Sequence, residues 1–347
     1  MMKNGNPYGS HRVLSPPGVL PQPADRIDNN MGTIWDNEIR VRVDTLNVDS
    51  ASFTQIKEQA GGDDGKIADI ILGIVEKAGK LKNPVTGSGG MFIGTVEKIG
   101  AALEGKRNIE PGDRIASLVS LSLTPLRIDK IKEIRKEIDQ VKIDGQAVLF
   151  ESGIYAKLPD DVPDTLALAV LDVCGAPAQV ERLVNPGDTV AILGASGKSG
   201  ILCAWEARKR AGSNGRIIGI AGSESGLARL KRVDLCDDTL TFDASDALGC
   251  HRVISDLTHG AMADIVINCV NIPNTEMPSI LICRDRGTVY FFSMATSFTK
   301  AALGAEGVGK DITMIIGNGY ASGHAEKALS ILRESVAIRK LYEELYT

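Results

Sequence analysis

Aromatic residues make up only 4% of this 347-residue chain. Single-stranded nucleic-acid binders need rings on which bases stack, and a net charge of −5 offers no general attraction to a polyanion. Nucleic acid and anionic membrane surfaces are therefore excluded as general partners. No apolar run reaches about 18 residues, the length that would suggest a membrane helix. The stretch from Met1 to Asn30 carries Pro7, Pro16, Pro17, Pro21 and Pro23 without an apolar signal-type core, so a cytoplasmic protein is expected. The six cysteines, Cys174, Cys203, Cys236, Cys250, Cys269 and Cys283, contain no C-x-x-C pair. That excludes a disulfide framework and a zinc knuckle, and fits small core side chains in a reducing compartment. Of the four histidines, His11, His251, His259 and His324, no two are spaced as metal ligands.

What is present is 43% hydrophobic and 24% charged residues, a globular composition, with 37 glycines and enough length for two cores. In the first half, Glu38 to Val43 alternates polar and apolar side chains within a strand-like stretch running from Ile34 to Gln55. A helix is expected over Ile67 to Ala78, and strands over Ile93 to Ile99 and Ile115 to Leu121. Ile128, Ile131, Ile134 and Ile138, with charges between them, predict an amphipathic surface helix. From Asp188 onward, short apolar runs (Thr189 to Gly194, Arg216 to Ala221, Leu240 to Phe242, Ile265 to Val270, Thr288 to Phe292) alternate with helical stretches. This is the pattern of a doubly wound parallel sheet. Ile312 to Ile316 would add a sixth strand, and His324 to Tyr346 a terminal helix. Thr165 to Ala178 reads as one linking helix, dividing a β-rich domain over residues 1–160 from a dinucleotide-binding domain over 161–347.

The first run of that sheet enters Gly194-Ala195-Ser196-Gly197-Lys198-Ser199-Gly200 and then a helix. Glycines permit a sharp turn and close backbone approach to a pyrophosphate, and the helix start offers unpaired N–H groups to the anion. A nucleotide-triphosphate P-loop is excluded because Ile192, inside the strand, occupies the position of its first glycine. The second strand ends in Ala221-Gly222-Ser223 without the carboxylate an NAD-selective site uses, and Arg229, Lys231 and Arg232 follow. NADP or NAD is the expected cofactor, with NADP favoured and Ser223 and Arg229 as its contacts. Asn271 and Ser293, with Met294 beside it, follow the fourth and fifth strands where loops approach a nicotinamide.

Glu38-Ile39-Arg40-Val41-Arg42-Val43, Gly94-Thr95-Val96-Glu97-Lys98-Ile99-Gly100, Pro111-Gly112-Asp113-Arg114, the glycine turn and Arg216-Ile217-Ile218-Gly219 resemble the medium-chain dehydrogenase/reductase superfamily. The resemblance implies a GroES-like catalytic domain followed by a Rossmann domain. It departs from the zinc alcohol dehydrogenases: Asp49 stands where a cysteine ligand belongs, Gly90 and Met91 where a His-Glu pair belongs, and only Cys174 is in place. Hydride transfer without zinc is thereby implied. The segment His11 to Asp25, with Leu46-Asn47-Val48-Asp49 and the glycine turn, resembles the L-erythro-3,5-diaminohexanoate dehydrogenase family of lysine fermentation. That resemblance implies NAD(P)-dependent oxidative deamination to 5-amino-3-oxohexanoate and ammonia. A zinc-free quinone or enoyl reductase, or a non-catalytic NADPH-binding protein, is the alternative.

The implied substrate carries two ammonium groups and one carboxylate, so its pocket should hold carboxylates and a cationic clamp. Asp49 is the first candidate for base or ammonium site, and Asp172 the second. Arg12 could clamp the carboxylate if the proline-rich arm folds over the cleft, with His11 beside it. The partner expected is this small molecule, and the sixth strand could pair across a dyad to form a homodimer.

Overall fold

The computed structural model describes residues 4–293, 295–317 and 319–347, so Met294 lies outside the described residues. The chain forms two compact units that meet in sequence between Leu168 and Ala169.

In the first unit, an arm runs through β1 (Val13–Ser15) and β2 (Arg26–Ile27), paired antiparallel. There follow β3 (Glu38–Asn47), α1 (Ser50–Ala60), α2 (Asp64–Ala78), β4 (Met91–Ile99), β5 (Arg114–Ser117), β6 (Leu126–Arg135), β7 (Gln140–Phe150) and β8 (Tyr155–Lys157), and then α3 (Asp164–Leu171), which runs across the division between the units. The sheet order is β6-β7-β3-β4-β5-β8, antiparallel throughout. Period-2 patterning puts Ile39, Val41 and Val43 in the core and leaves Arg42 in water. The strand-like stretch expected to reach Gln55 ends at Asn47, because α1 begins at Ser50. In α2 the Asp63 side chain caps Lys66 N–H, and Gly79 ends the helix at φ 72°. Between them, Ile67, Ile71 and Val75 reach the core at four-residue spacing.

The helix expected over Ile128 to Ile138 is instead strand β6. Ile128, Ile131 and Ile134 stand three apart in sequence but face Gly145, Ile143 and Val141, which stand two apart on β7. Register shifts at Ile128/Lys130 and Ile131/Glu133 absorb the difference. Each shift adds a residue to β6, so isoleucines at helical spacing all lie half-buried against the core. The strand expected to reach Leu121 stops at Ser117.

The arm is held by a buried ion cluster. Glu38 has no exposed surface; it receives Arg12 Nε and Nη2 at 2.6 Å each, His11 Nε2 at 2.8 Å and Trp35 N–H at 2.9 Å. Arg12 Nη1 donates to the carbonyls of Asp28 and Asn30, and Nη2 also to that of Thr33. Burial alone would raise the Glu38 pKa, but the bonds from Arg12, His11 and Trp35 outweigh it and lower it to about 2.

The second unit adds α4 (Gly175–Leu183), β9 (Thr189–Leu193), α5 (Lys198–Ala211), β10 (Arg216–Ala221), α6 (Glu224–Val233), β11 (Asp238–Thr241), α7 (Ala247–Thr258) and β12 (Ala263–Asn268). It continues with α8 (Glu276–Leu281), β13 (Cys283–Phe291), α9 (Phe298–Gly307), β14 (Thr313–Ile316), α10 (His324–Glu334) and α11 (Val336–Tyr346). The parallel sheet has the order β11-β10-β9-β12-β13-β14. Central β9 is fully buried from Val190 to Leu193, which is why it reads as an unbroken apolar run. The expected linking helix is two helices, α3 and α4, because Pro177 would clash with the carbonyl four residues earlier in a continuous one. Restarting at Gly175 places Pro177 in a first turn, where its missing N–H costs nothing. The terminal helix is likewise broken at Ser335, whose side chain caps α11 at Ile338 N–H. A β-rich GroES-like domain and a Rossmann domain, as expected, are therefore both present. Among the described residues, no helix is long and apolar enough to cross a membrane.

Candidate active site

In a doubly wound sheet, ligands bind where neighbouring strands diverge, at their carboxyl ends. Here that point lies between β9 and β12, and the glycine turn occupies it. Gly194 adopts φ 75°, and its N–H and that of Ala195 both donate to Ile220 O at 3.0 Å. Gly197 caps α5 without a side chain, leaving the backbone accessible to an anion. A Cβ at Gly200 would stand 2.2 Å from Gly194 O and 2.6 Å from Ala195 Cα. Gly200→Ala should therefore push α5 off the turn and weaken cofactor binding about tenfold, read by NADPH fluorescence titration. Unchanged affinity would show that the turn does not carry the pyrophosphate.

Beside the turn, Ile220, Gly222, Phe242, Asp243, Val270 and Ile272 help line a cleft of about 680 Å³ at the ends of β10, β11 and β12. Its size and apolar walls suit an adenosine. At its edge Ser223 caps α6, accepting Gly226 N–H at 3.1 Å, and lies 3.1 Å from Ser225 Oγ. Arg229, half-buried, reaches back to Ser196 O at 3.4 Å. Arg232, expected in the same basic group, is instead held by both oxygens of Glu344. The remaining polar group at the edge is thus Ser223, Ser225 and Arg229, with exposed Lys231 beyond it.

On the other half of the sheet, Asn271 is exposed and Ser293 accepts Ala295 N–H at 3.1 Å. The residue that organises this half is Asn268, which the sequence reading missed. It is fully buried at the end of β12, donates to Thr275 Oγ1 and Ser279 Oγ, and accepts Val270 N–H. A polar residue closing an apolar strand was the available signal.

Lys198, expected on the phosphates, turns its ammonium to Asp172 at 3.0 Å and lies 5.4 Å from the centroid of the Tyr346 ring. Asp172, expected as an acid-base group, is therefore an ion-pair partner for the first residue of α5. Cys174 is buried, and burial followed by the charge of Asp172 pushes its thiol well up. Among the described residues no group of three or more His, Cys, Asp and Glu could hold a metal ion.

In the first unit, Asp49 occupies the N-cap position of α1 without capping it by its side chain, and is half-buried. Gly90, at φ 94°, lies so close that a Cβ would stand 2.7 Å from Asp49 N and 2.1 Å from Asn47 O. The loops of Asp49 and Gly90, separate in sequence, thus form one end of this unit. Two further hydroxyl pairs that the sequence reading did not single out are Ser52, in the first turn of α1, with Thr86 at 2.5 Å, and Ser120 with Ser122 at 2.8 Å. Arg12 does not serve as a clamp. All five of its N–H donors are used inside the arm and Glu38, so none is left for a substrate carboxylate. His11, bonded to Glu38 and packed on Trp35 and Phe150, is part of the same anchor.

The architecture is shared with solved oxidoreductases. The enoyl reductase CurK aligns at TM-score 0.55 and 16% identity, covering 86% of this chain and 79% of its own. A mycobacterial quinone oxidoreductase aligns at 0.53 and 18%, covering 94% and 87%, and the Escherichia coli quinone oxidoreductase complexed with NADPH at 0.52 and 15%, covering 87% and 80%. A β-rich domain followed by a Rossmann sheet is the fold that this chain shares with these oxidoreductases. Residues 11–159 match the L-erythro-3,5-diaminohexanoate dehydrogenase N-terminal domain. Two relatives named L-erythro-3,5-diaminohexanoate dehydrogenase match over nearly their full lengths. The one from Acetoanaerobium sticklandii is 59% identical, covering 99% of each chain; the one from Fusobacterium nucleatum is 56% identical, covering 99% of this chain and 100% of its own. The chain belongs to the L-erythro-3,5-diaminohexanoate dehydrogenase family.

Proposed function

We propose that this protein catalyses the NAD(P)-dependent oxidative deamination of L-erythro-3,5-diaminohexanoate to 5-amino-3-oxohexanoate and ammonia, without a metal. The observation carrying this reading is the 59% identity across 99% of both chains to a relative of that name. The reaction balances as R₂CH–NH₃⁺ + NAD(P)⁺ + H₂O giving R₂C=O + NH₄⁺ + NAD(P)H + H⁺. The cofactor accepts the hydride; the protein must deprotonate the ammonium first, then activate water to attack the iminium. Asp49 is the group we assign to the ammonium, as its base or its counter-ion. Its loop meets that of Gly90, and these are two of the positions that hold zinc ligands in the zinc alcohol dehydrogenases. The test is reduced-cofactor absorbance at 340 nm with the diamino acid. Turnover supports the assignment; its absence, with quinones or enoyl thioesters reduced instead, would replace it.

NADP is the cofactor we favour. No carboxylate follows β10, while Ser223, Ser225 and Arg229 present hydroxyls and a guanidinium where a 2′-phosphate would sit. Arg229→Ala should raise the KM for NADP about tenfold or more, the cost of one charge-assisted hydrogen bond, and leave that for NAD nearly unchanged. An equal loss for both cofactors would remove Arg229 from the discrimination.

The free cysteines suit the cytoplasm, where we place the protein. We also propose a homodimer through β14, the edge strand of the parallel sheet, with Ile316 exposed on it and Phe298 on α9. A monomer by light scattering would exclude it.

A further inference from the structure

Two of the six cysteines meet beside the glycine turn. Cys203, fully buried in the second turn of α5, places its sulfur 3.9 Å from that of Cys269, which follows β12 and is half-buried. Ser199, four residues before Cys203 and so on the same face of α5, donates its hydroxyl to the Cys269 sulfur. Burial pushes the thiols of Cys174, Cys236, Cys250 and Cys283 up. In Cys269 the bond from Cys203, joined by that from Ser199, outweighs burial and moves the thiol down, while burial and the same bond keep Cys203 protonated. A nucleophilic sulfur thus faces a thiol that can resolve it.

Both ends of this contact bear on the turn. Cys269 N–H donates to Leu193 O at 2.9 Å, and a Cβ on Gly194 would stand 3.1 Å from the Cys269 carbonyl carbon and 3.2 Å from its oxygen. Gly194 and Val270, neighbours of Cys269 in space and in sequence, line the cleft of about 680 Å³, which gives a small oxidant an approach. Cys203 belongs to the helix whose N-terminus faces the pyrophosphate.

We propose that Cys203 and Cys269 form a disulfide when a hydroperoxide oxidises them, and that this bond loosens the hold of the glycine turn on its cofactor. The Cys269 thiolate attacks one peroxide oxygen; an S–O bond forms, the O–O bond breaks, and the other oxygen leaves as hydroxide. The Cys203 thiol then attacks the sulfenic sulfur; the S–S bond forms, the S–O bond breaks, and the hydroxyl leaves as water with the Cys203 proton. Two thiols and one hydrogen peroxide give one disulfide and two waters. Bonding distance lies well inside the present contact, so the disulfide draws α5 and the end of β12 together and displaces the turn packed against them. The proposal rests on the turn carrying the cofactor, not on which substrate is oxidised.

The test is treatment of the full chain with hydrogen peroxide, followed by peptide mapping without reductant and by NADPH fluorescence titration. A peptide joining Cys203 to Cys269 is expected, with the Kd for NADPH raised about tenfold, and dithiothreitol should reverse both changes. In Cys203→Ala the same treatment should leave Cys269 as a sulfenic acid captured by dimedone, and in Cys269→Ala it should leave Cys203 a thiol. The mapping of the wild type needs neither variant, so it decides the site even if one fails to fold. Peroxide that leaves Cys269 a thiol, or that joins it to another cysteine, would overturn the site. A cross-linked chain that binds NADPH as the reduced chain does would overturn the effect on the turn. A reduced chain without NADPH affinity would overturn the cofactor reading and that effect with it, while the mapping would still decide the disulfide.

Discussion

Asp49→Asn is expected to lower kcat for oxidation of the diamino acid by about 10²–10⁴-fold, the usual contribution of a positioned acid-base group. The amide keeps the shape and polarity of the loop but cannot take a proton from the substrate ammonium or balance its charge. Cofactor binding should be untouched, because the glycine turn and the adenosine cleft belong to the second unit. The split between lost turnover and retained NADPH affinity is therefore the signature to look for. Activity within about threefold of wild type would remove Asp49 from the chemistry.

Glu38→Gln should cost about 3–5 kcal/mol of stability, because it leaves the Arg12 guanidinium buried without its counter-ion. In a unit of this size that is a fall in Tm of roughly 10 °C. The pH dependence has a definite sign. Glu38 titrates near 2 in the folded chain against 4.5 for the free group. A depressed carboxylate contributes stability that is fully present above about 4.5 and is lost as pH falls toward 2, up to about 3 kcal/mol. Urea melts between pH 6 and pH 3 should show this loss in the wild type and a flatter profile in Glu38→Gln. Parallel profiles would mean that the arm is anchored by something other than this carboxylate.

The Rossmann half was legible because its central strands are buried on both faces and its turn carries glycines at positions such as Gly200, where nothing larger fits. The β-rich half was less so. Ile128, Ile131 and Ile134 carry helical spacing because register shifts in β6 stretch a two-residue period to three, and such shifts leave no mark in composition. Candidate residues separated in the same way. The glycines of the turn are set by local backbone geometry, which sequence expresses. Arg12, His11 and Asp172 looked like acid-base or binding groups because charge is visible in sequence and its partner is not. Glu38 stands 26 residues from Arg12, and Lys198 stands 26 from Asp172. Asn268 was passed over for the converse reason, since its bonds to Thr275 and Ser279 form only once the segment after β12 folds back on it.

The central claim is that an amine, rather than an alcohol or a double bond, is the group oxidised. Its most direct test is to measure NAD(P)H and ammonia together as the enzyme acts on L-erythro-3,5-diaminohexanoate. The balanced reaction requires one of each per turnover, with 5-amino-3-oxohexanoate as the carbon product. NAD(P)H formed without ammonia, or no reduction of either cofactor, would contradict it.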